Sequence, residues 1–304
     1  MTTTQLPEPS MNSLTDRFAA LAPPDLTSDV GMMVIGCGTY GSAIARMLTS
    51  LGIRYALFMD PDLIEDVNVL PQLWPHGCIG MPKADTLLQI CNNLLPMPPT
   101  SRIAILNRAI MQPSNTALPT PWHLFTAPAS HRIQLVGTVP SRFVVVSGAD
   151  DMDVTSAIYS SLVGRLQSFP HNRFLLLDAR LTALQAWSLI CDPHDPTSRA
   201  AYARTLFPQH NAAPPACGLR FTGPTAYAVA SLQAIQVLHW LRGSPTVPST
   251  LIDLSLGMVH QTPLVASVDP DSNLIPNVVS ETVRTAVPAV PATSGTSGTL
   301  TPKY

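Results

Sequence analysis

Residues 32–72 read MMVIGCGTYGSAIARMLTSLGIRYALFMDPDLIEDVNVLPQ. The apolar run Met32 to Ile35 ends in Gly36-Cys37-Gly38-Thr39-Tyr40-Gly41, and small and apolar residues then recur at helical spacing from Ser42 to Leu51, stopping at Gly52. That pattern is strand, tight turn, helix. A second apolar run, Tyr55 to Met59, predicts a second buried strand, and Asp60, Asp62, Asn68 and Gln72 crowd into the thirteen residues after it. In a strand–G-x-G-x-x-G–helix unit, Gly36, Gly38 and Gly41 allow a tight turn, close approach of backbone to phosphate, and close helix packing. The amides opening the helix then face an anion, so the unit predicts a bound nucleotide. Asp60, 19 residues past Gly41, suits a bond to ribose hydroxyls, which fits NAD and ATP equally.

Working outward, strands and helices alternate. Lys83 to Leu95 reads as a helix ending before Pro96, Arg102 to Leu106 as a short strand, and Phe143 to Val146 as a strand running into Ser147-Gly148-Ala149-Asp150. Thr155 to Leu166 is helical, and Arg173 to Leu177 and Ala186 to Ile190 are strands. A short helix, Ser198 to Leu206, precedes the long apolar helix Thr225 to Arg242, and Leu251 to Leu254 with Met258 to Pro263 form a hairpin. The expected fold is α/β, a doubly wound, Rossmann-like, mostly parallel sheet with an antiparallel C-terminal extension. Its nucleotide-binding domain spans residues 30–265. It follows a partly flexible segment, 1–29, and contains a proline-rich insertion at 111–141. The Thr, Ser, Pro and Gly of residues 279–304 predict a disordered tail.

Composition narrows the partners. The chain has 304 residues, 46% hydrophobic and 12% charged, with a formal net charge of −2, which gives no general attraction to nucleic acid or acidic membranes. The start, MTTTQLPEPS, lacks a basic-then-apolar signal pattern, and the longest apolar run, Ala226 to Leu241, is interrupted by Gln233, Gln236 and His239. A soluble, cytoplasmic protein is expected. Five scattered cysteines without a C-x-x-C pair argue against a disulfide framework and a four-cysteine zinc site. Fifteen arginines stand against two lysines, Lys83 and Lys303, so Lys83 is the lone lysine of the expected domain. Such a lysine marks a place for a compact ammonium, or is a solvated first-turn residue.

The cluster after Asp60 continues into Gly80-Met81-Pro82-Lys83. A dehydrogenase has no general need for D-P-D, Asn68, Gln72 and G-x-P-K in that order. These residues resemble the ThiF/MoeB/HesA superfamily, the adenylating domain of ubiquitin-activating (E1) enzymes. Its members show G-x-G-x-x-G, then D-x-D-x-V-x-x-x-N-x-x-R-Q, then G-x-x-K, then a strand ending near an Asp. Val144 to Asp150 resembles that last segment, SLQAIQVLHWLRG (231–243) the family's late helix, and LIDLSLGMVHQTPL (251–264) its closing strands. The resemblance runs from about Gly31 to Val265. It implies ATP and Mg²⁺ as cofactors, with Gly36, Gly38 and Gly41 along the phosphates and Asp60 on the ribose. Asp62 belongs to the same nucleotide site, Asn68, Gln72 and Lys83 reach the triphosphate, and Asp150 holds the metal. Catalytic roles would fall to Lys83, Asp150 and Cys217. The implied reaction is adenylation of the C-terminal carboxylate of a small ubiquitin-like or sulfur-carrier protein, by a homodimer.

The sequence departs from that pattern. Pro71 replaces the arginine of N-x-x-R-Q, Arg17 is the one N-terminal candidate for the arginine that members take from a partner protomer, and no structural zinc is expected. Cys217, in PPACGLRF, lies where members of the E1 type place a thioester cysteine, with Arg220 near it; a buried structural cysteine is the alternative. Cys191 is a weaker thiol candidate, and His194 with Asp195 reads as turn chemistry. Asp150 can also be read as a helix N-cap, a role that does not exclude metal binding. Two further readings stay open: a non-catalytic scaffold, supported by Pro71, and an NAD-dependent oxidoreductase, supported by the glycines and Asp60.

Overall fold

The computed structural model of the protein describes residues 23–53, 55–94, 140–211 and 223–261. Its elements, in chain order, begin with α1 (Pro24–Thr27), β1 (Val30–Ile35), α2 (Thr39–Ser50) and β2 (Tyr55–Met59). There follow α3 (Val69–Gln72), α4 (Lys83–Leu94), β3 (Arg142–Ser147), α5 (Met152–Arg165), β4 (Arg173–Leu181) and β5 (Gln185–Cys191). The last are α6 (Pro196–Ala203), α7 (Gly223–Leu241), β6 (Ser249–Asp253) and β7 (Met258–Gln261). The expectations for Arg17, the strand at 102–106, Cys217 and the tail at 279–304, and nearly all of the 111–141 insertion, lie outside the described residues.

These strands form one sheet in the order β2-β1-β3-β4-β5-β6-β7. β2, β1, β3 and β4 are parallel, in register at Val34↔Phe58, Val34↔Val146 and Ser147↔Asp178. β5, β6 and β7 add on antiparallel, so the sheet is the mostly parallel, doubly wound sheet with an antiparallel C-terminal extension. β1 is followed in sequence by its neighbour on one side, β2, and the chain then returns to its other side at β3. That reversal creates a crevice outside the carboxyl ends of β1 and β3, where sheets of this kind take ligands.

Both faces of the parallel strands are covered, which is why they read as unbroken apolar runs. Met32, Val34, Phe58, Val144 and Leu175 face α2, α4 and α7 through Ile44, Leu48, Leu87 and Val237. Met33, Leu57, Val145 and Leu176, on the opposite pleat, pack with Ile158 and Leu162 of α5 and Tyr202 of α6. The period of two divides one run between two cores.

Element ends differ from the sequence expectation where hydrogen bonds override composition. β4 continues from Leu177 to Leu181 because, past Asp178, it turns into a hairpin with β5 through Arg180↔Trp187 and Leu181↔Ala186. α5 starts at Met152 rather than Thr155 because the Asp151 side chain accepts from the amides of Asp153 and Val154. α6 covers Pro196–Ala203 rather than 198–206, opened by Asp195 in the same way with Pro196 at its first position.

Candidate functional site

Three glycines hold the end of β1 against the end of β3. Gly36 has φ +89°, and a Cβ there would lie 2.5 Å from the carbonyl of Gly148. A Cβ on Gly41 would meet the Gly36 carbonyl oxygen at 1.8 Å, and one on Gly148 would meet it at 2.3 Å. The Gly148 amide also donates to Ile35 O at 2.7 Å. Turn, helix and neighbouring strand therefore interlock backbone to backbone. Gly38 is different: a Cβ there would meet nothing within 4 Å. Three of the four positions close the packing, and Gly38 leaves space beside the first amides of α2, as a bound phosphate requires.

Asp60 is tied to the same turn. Its Oδ2 accepts from the Cys37 amide at 2.6 Å and its Oδ1 from the Asp62 amide at 2.9 Å. Burial pushes its carboxyl above the usual carboxylate range, while those two amides and Lys83 pull the other way. Burial likewise pushes the thiol of Cys37 up, which leaves that residue a packing group.

Lys83 opens α4, but it is not the solvated first-turn residue that its position allows. It is 7% exposed, and its Nζ sits 2.8 Å from Oδ2 of Asp62, a side chain that is 63% exposed. The backbone delivers the pair: Lys83 N donates to Asp62 O at 3.0 Å, and Ile64 N to Met81 O at 2.8 Å. A buried ammonium needs a counter-charge, and Asp62 provides it from the solvent side.

The side-chain carboxamides of Asn68 and Gln72 follow one rule, visible once their partners are named. The Oδ1 of Asn68 accepts from the Glu65 amide at 3.1 Å, and the Oε1 of Gln72 accepts from Trp74 Nε1 at 2.7 Å. Both partners are pure donors, so each carboxamide commits its oxygen to the protein. Its N–H groups take no bond among the described residues, and donors are what an anion recruits.

Asp150, at the end of β3 two residues past Gly148, is exposed and makes no ion pair or hydrogen bond among the described residues. The N-cap reading of Asp150 is corrected: the cap is Asp151, whose Oδ1 lies 2.7 Å from the Asp153 amide. Pro71 packs its carbonyl 3.2 Å from where a Cβ on Gly223 would stand, at the start of α7. His194 and Asp195 serve turns, Asp195 as the cap of α6 and His194 through its amide to Asp192. Burial pushes the Cys191 thiol up to about 12. Among the described residues no three His, Cys, Asp or Glu side chains gather as a metal site, and no helix is long and apolar enough to cross a membrane.

Sequence reasoning misses two constellations. Tyr40, inside the glycine motif, donates its hydroxyl to Gln233 Oε1 of α7, and Gln233 Nε2 donates to the Asp178 carbonyl at 2.8 Å. Arg46 of α2 donates to the Leu73 carbonyl at 3.1 Å and lies 5.5 Å over the Trp74 ring. Gln233 was visible as a polar break in an apolar helix; Arg46 and Trp74 carried no signal.

Fold and site together define a nucleotide-binding α/β domain with its ligand crevice between β1 and β3. The sequence profile of the ThiF family matches residues 25–260, and the chain belongs to that family. Among solved structures it resembles PaaA at 14% identity, TM-score 0.57, over 87% of this chain and 86% of that one. It also resembles Escherichia coli MccB with AMPCPP and MccA, at 14% identity and TM-score 0.54, over 86% and 73% of the two chains. MccB with ATP aligns at 14% identity and TM-score 0.51, over 80% and 66%. Comparison with curated protein sequences finds no match.

Proposed function

We propose that this protein binds ATP with Mg²⁺ and adenylates the C-terminal carboxylate of a small ubiquitin-like or sulfur-carrier protein. One observation carries the reading: beyond the glycine turn and Asp60, the chain holds a buried ammonium, Lys83, and two carboxamides whose oxygens are already engaged. A dinucleotide requires none of these, whereas a triphosphate under attack by a carboxylate needs donors and positive charge. Membership of the ThiF family supports the reaction class, and the MccA bound to the MccB relative supports a peptide or small protein as acceptor.

In this reading Gly38 leaves the space where phosphate meets the first amides of α2, and Asp60 receives the ribose. Lys83 leaves Asp62 for the phosphates, or bridges the two. The acceptor carboxylate oxygen bonds to the α-phosphorus, the bond from that phosphorus to the bridging oxygen breaks, and pyrophosphate departs with the electron pair. Asn68, Gln72 and Lys83 hold the charge spread over the departing group. Asp150 fits Mg²⁺, since that ion is held by one or two carboxylates together with phosphate oxygens, and the ion would supply further counter-charge there. Any onward transfer to a thiol falls to Cys217; Cys217→Ser would then keep the first step and lose the thioester.

ATP–pyrophosphate exchange with a cognate carrier protein tests the first step. Exchange that depends on carrier and Mg²⁺ is the expected result. Tighter binding of NAD than of ATP·Mg²⁺ would sink the whole reading. The scaffold reading has its own observation, Pro71 in place of the family arginine; it predicts binding of the carrier with no exchange.

A further inference from the structure

We infer that Trp74 is a positioning residue: its indole N–H fixes the Gln72 carboxamide as a hydrogen-bond donor for the nucleotide phosphates, with Arg46 clamping the turn that holds Trp74 in place. The inference rests on the ATP reading of the site. A carboxamide has two ends of almost the same size, and an unrestrained one would offer phosphate its oxygen as readily as its nitrogen. The indole Nε1 is a donor only. At 2.7 Å from Gln72 Oε1 it therefore accepts one orientation and excludes the flipped one, leaving both N–H groups of Gln72 for an anion. Gln72 and Trp74 are both buried, so water offers that oxygen little competing donation.

The backbone between the two residues supports this. Leu73, with φ 51°, is the one non-glycine residue with positive φ among the described residues. A branched residue does not adopt that conformation for its own sake, and the Leu73 side chain is 52% exposed, so burial does not hold it there. The turn has a different result: it swings Trp74 back so that its amide donates to Val69 O at 3.0 Å and its ring nitrogen reaches Gln72. Arg46 holds the turn from α2. Its Nη2 donates to the Leu73 carbonyl at 3.1 Å, its Nη1 to the Tyr227 hydroxyl at 2.5 Å, and its guanidinium carbon lies 5.5 Å from the Trp74 ring centroid. Where the family places an arginine in the segment itself, this chain has Pro71. It brings an arginine to that segment from another helix, directed at the loop's backbone.

A double-mutant cycle on ATP·Mg²⁺ affinity, read by titration calorimetry, tests the inference. Trp74→Phe keeps the ring and removes the N–H, and should weaken ATP by about 5-fold, the scale of one hydrogen bond's net worth. Gln72→Met should weaken it at least as much. The double variant should bind no more weakly than Gln72→Met, because Trp74 acts through Gln72. A Trp74→Phe effect of equal size in both backgrounds, or no effect in either, overturns the inference while leaving the ATP reading intact. If wild type fails to bind ATP·Mg²⁺, that reading and this inference fall together. Should Trp74→Phe not fold, Arg46→Met, which releases the Leu73 carbonyl, carries the same cycle with the same Gln72-dependent loss expected.

Discussion

A methyl group added at Gly38 and one added at Gly41 should have opposite consequences. Gly41→Ala drives a Cβ to 1.8 Å from Gly36 O, backbone against backbone, and should cost about 3 kcal/mol or more of stability. Gly38→Ala meets nothing within 4 Å and has ordinary φ, so thermal unfolding should move little while ATP affinity falls about tenfold or more. Equal affinities for Gly38→Ala and wild type would mean that the space beside α2 does not take phosphate. Lys83 makes a second residue-scale prediction. Its ammonium is held at 2.8 Å by Asp62, and Lys83→Ala should lower pyrophosphate exchange by about 10²-fold, as expected for losing one electrostatic stabiliser of a transition state. Lys83→Arg should also be impaired, because a planar guanidinium is larger than the buried pocket's ammonium and spreads its charge. Full exchange in either variant would remove Lys83 from the chemistry and leave it as a buried partner of Asp62.

At the scale of an element, the start of α5 separates two neighbouring carboxylates. Asp151 caps the helix through the amides of Asp153 and Val154, so Asp151→Ala should cost about 1 kcal/mol in chemical denaturation and spare activity. Asp150 has no such bond, so Asp150→Ala should leave stability unchanged and abolish Mg²⁺-dependent exchange; the reverse pattern would exchange their roles. β4 supplies a pH prediction. Burial pushes the Asp178 carboxyl above its ordinary value, against the pull of Arg180 and of the Tyr202 hydroxyl 3.0 Å away. The native state then keeps a proton that the unfolded chain has lost. Rising pH therefore removes stability across the window between the unfolded value, about 4, and the raised native one. Asp178→Asn does not titrate and can still accept from Tyr202, so its stability relative to wild type should rise from pH 4 to pH 8. Melting temperatures at the two pH values measure this, and a relative fall would show that the ion pair with Arg180 outweighs burial.

Across the whole molecule, what was legible in the sequence is what short-range pattern encodes. Tyr55–Met59 and the start of α4 at Lys83 match the expectation because an apolar run or a helical period identifies itself locally. The glycine turn, Asp60 and Lys83 were legible as types at a spacing. That Asp62 pairs with Lys83, or that Tyr40 bonds to Gln233 across 193 residues, was not, since side-chain partners are chosen by packing rather than period. The same limit hid the clustering of exposed apolar residues in the segment that carries Asn68 and Gln72. Leu63 (53% exposed), Val67 (74%), Leu70 (83%), Leu73 (52%) and Ile79 (39%) fall within seventeen residues. Large apolar side chains left to water at this density along the chain are what an interaction surface would supply, and we propose the homodimer implied by the ThiF resemblance as its partner. The pairing should appear in sedimentation as a monomer–dimer equilibrium that shifts with protein concentration. Val67→Asp with Leu70→Asp should move it towards monomer by charging a surface that would be desolvated on association. Because both side chains are exposed in one copy, the double variant should keep the wild-type melting temperature measured at monomer concentrations. A wild type that sediments as monomer at every concentration, or a double variant that dimerises as well as wild type, would remove this segment from any self-association.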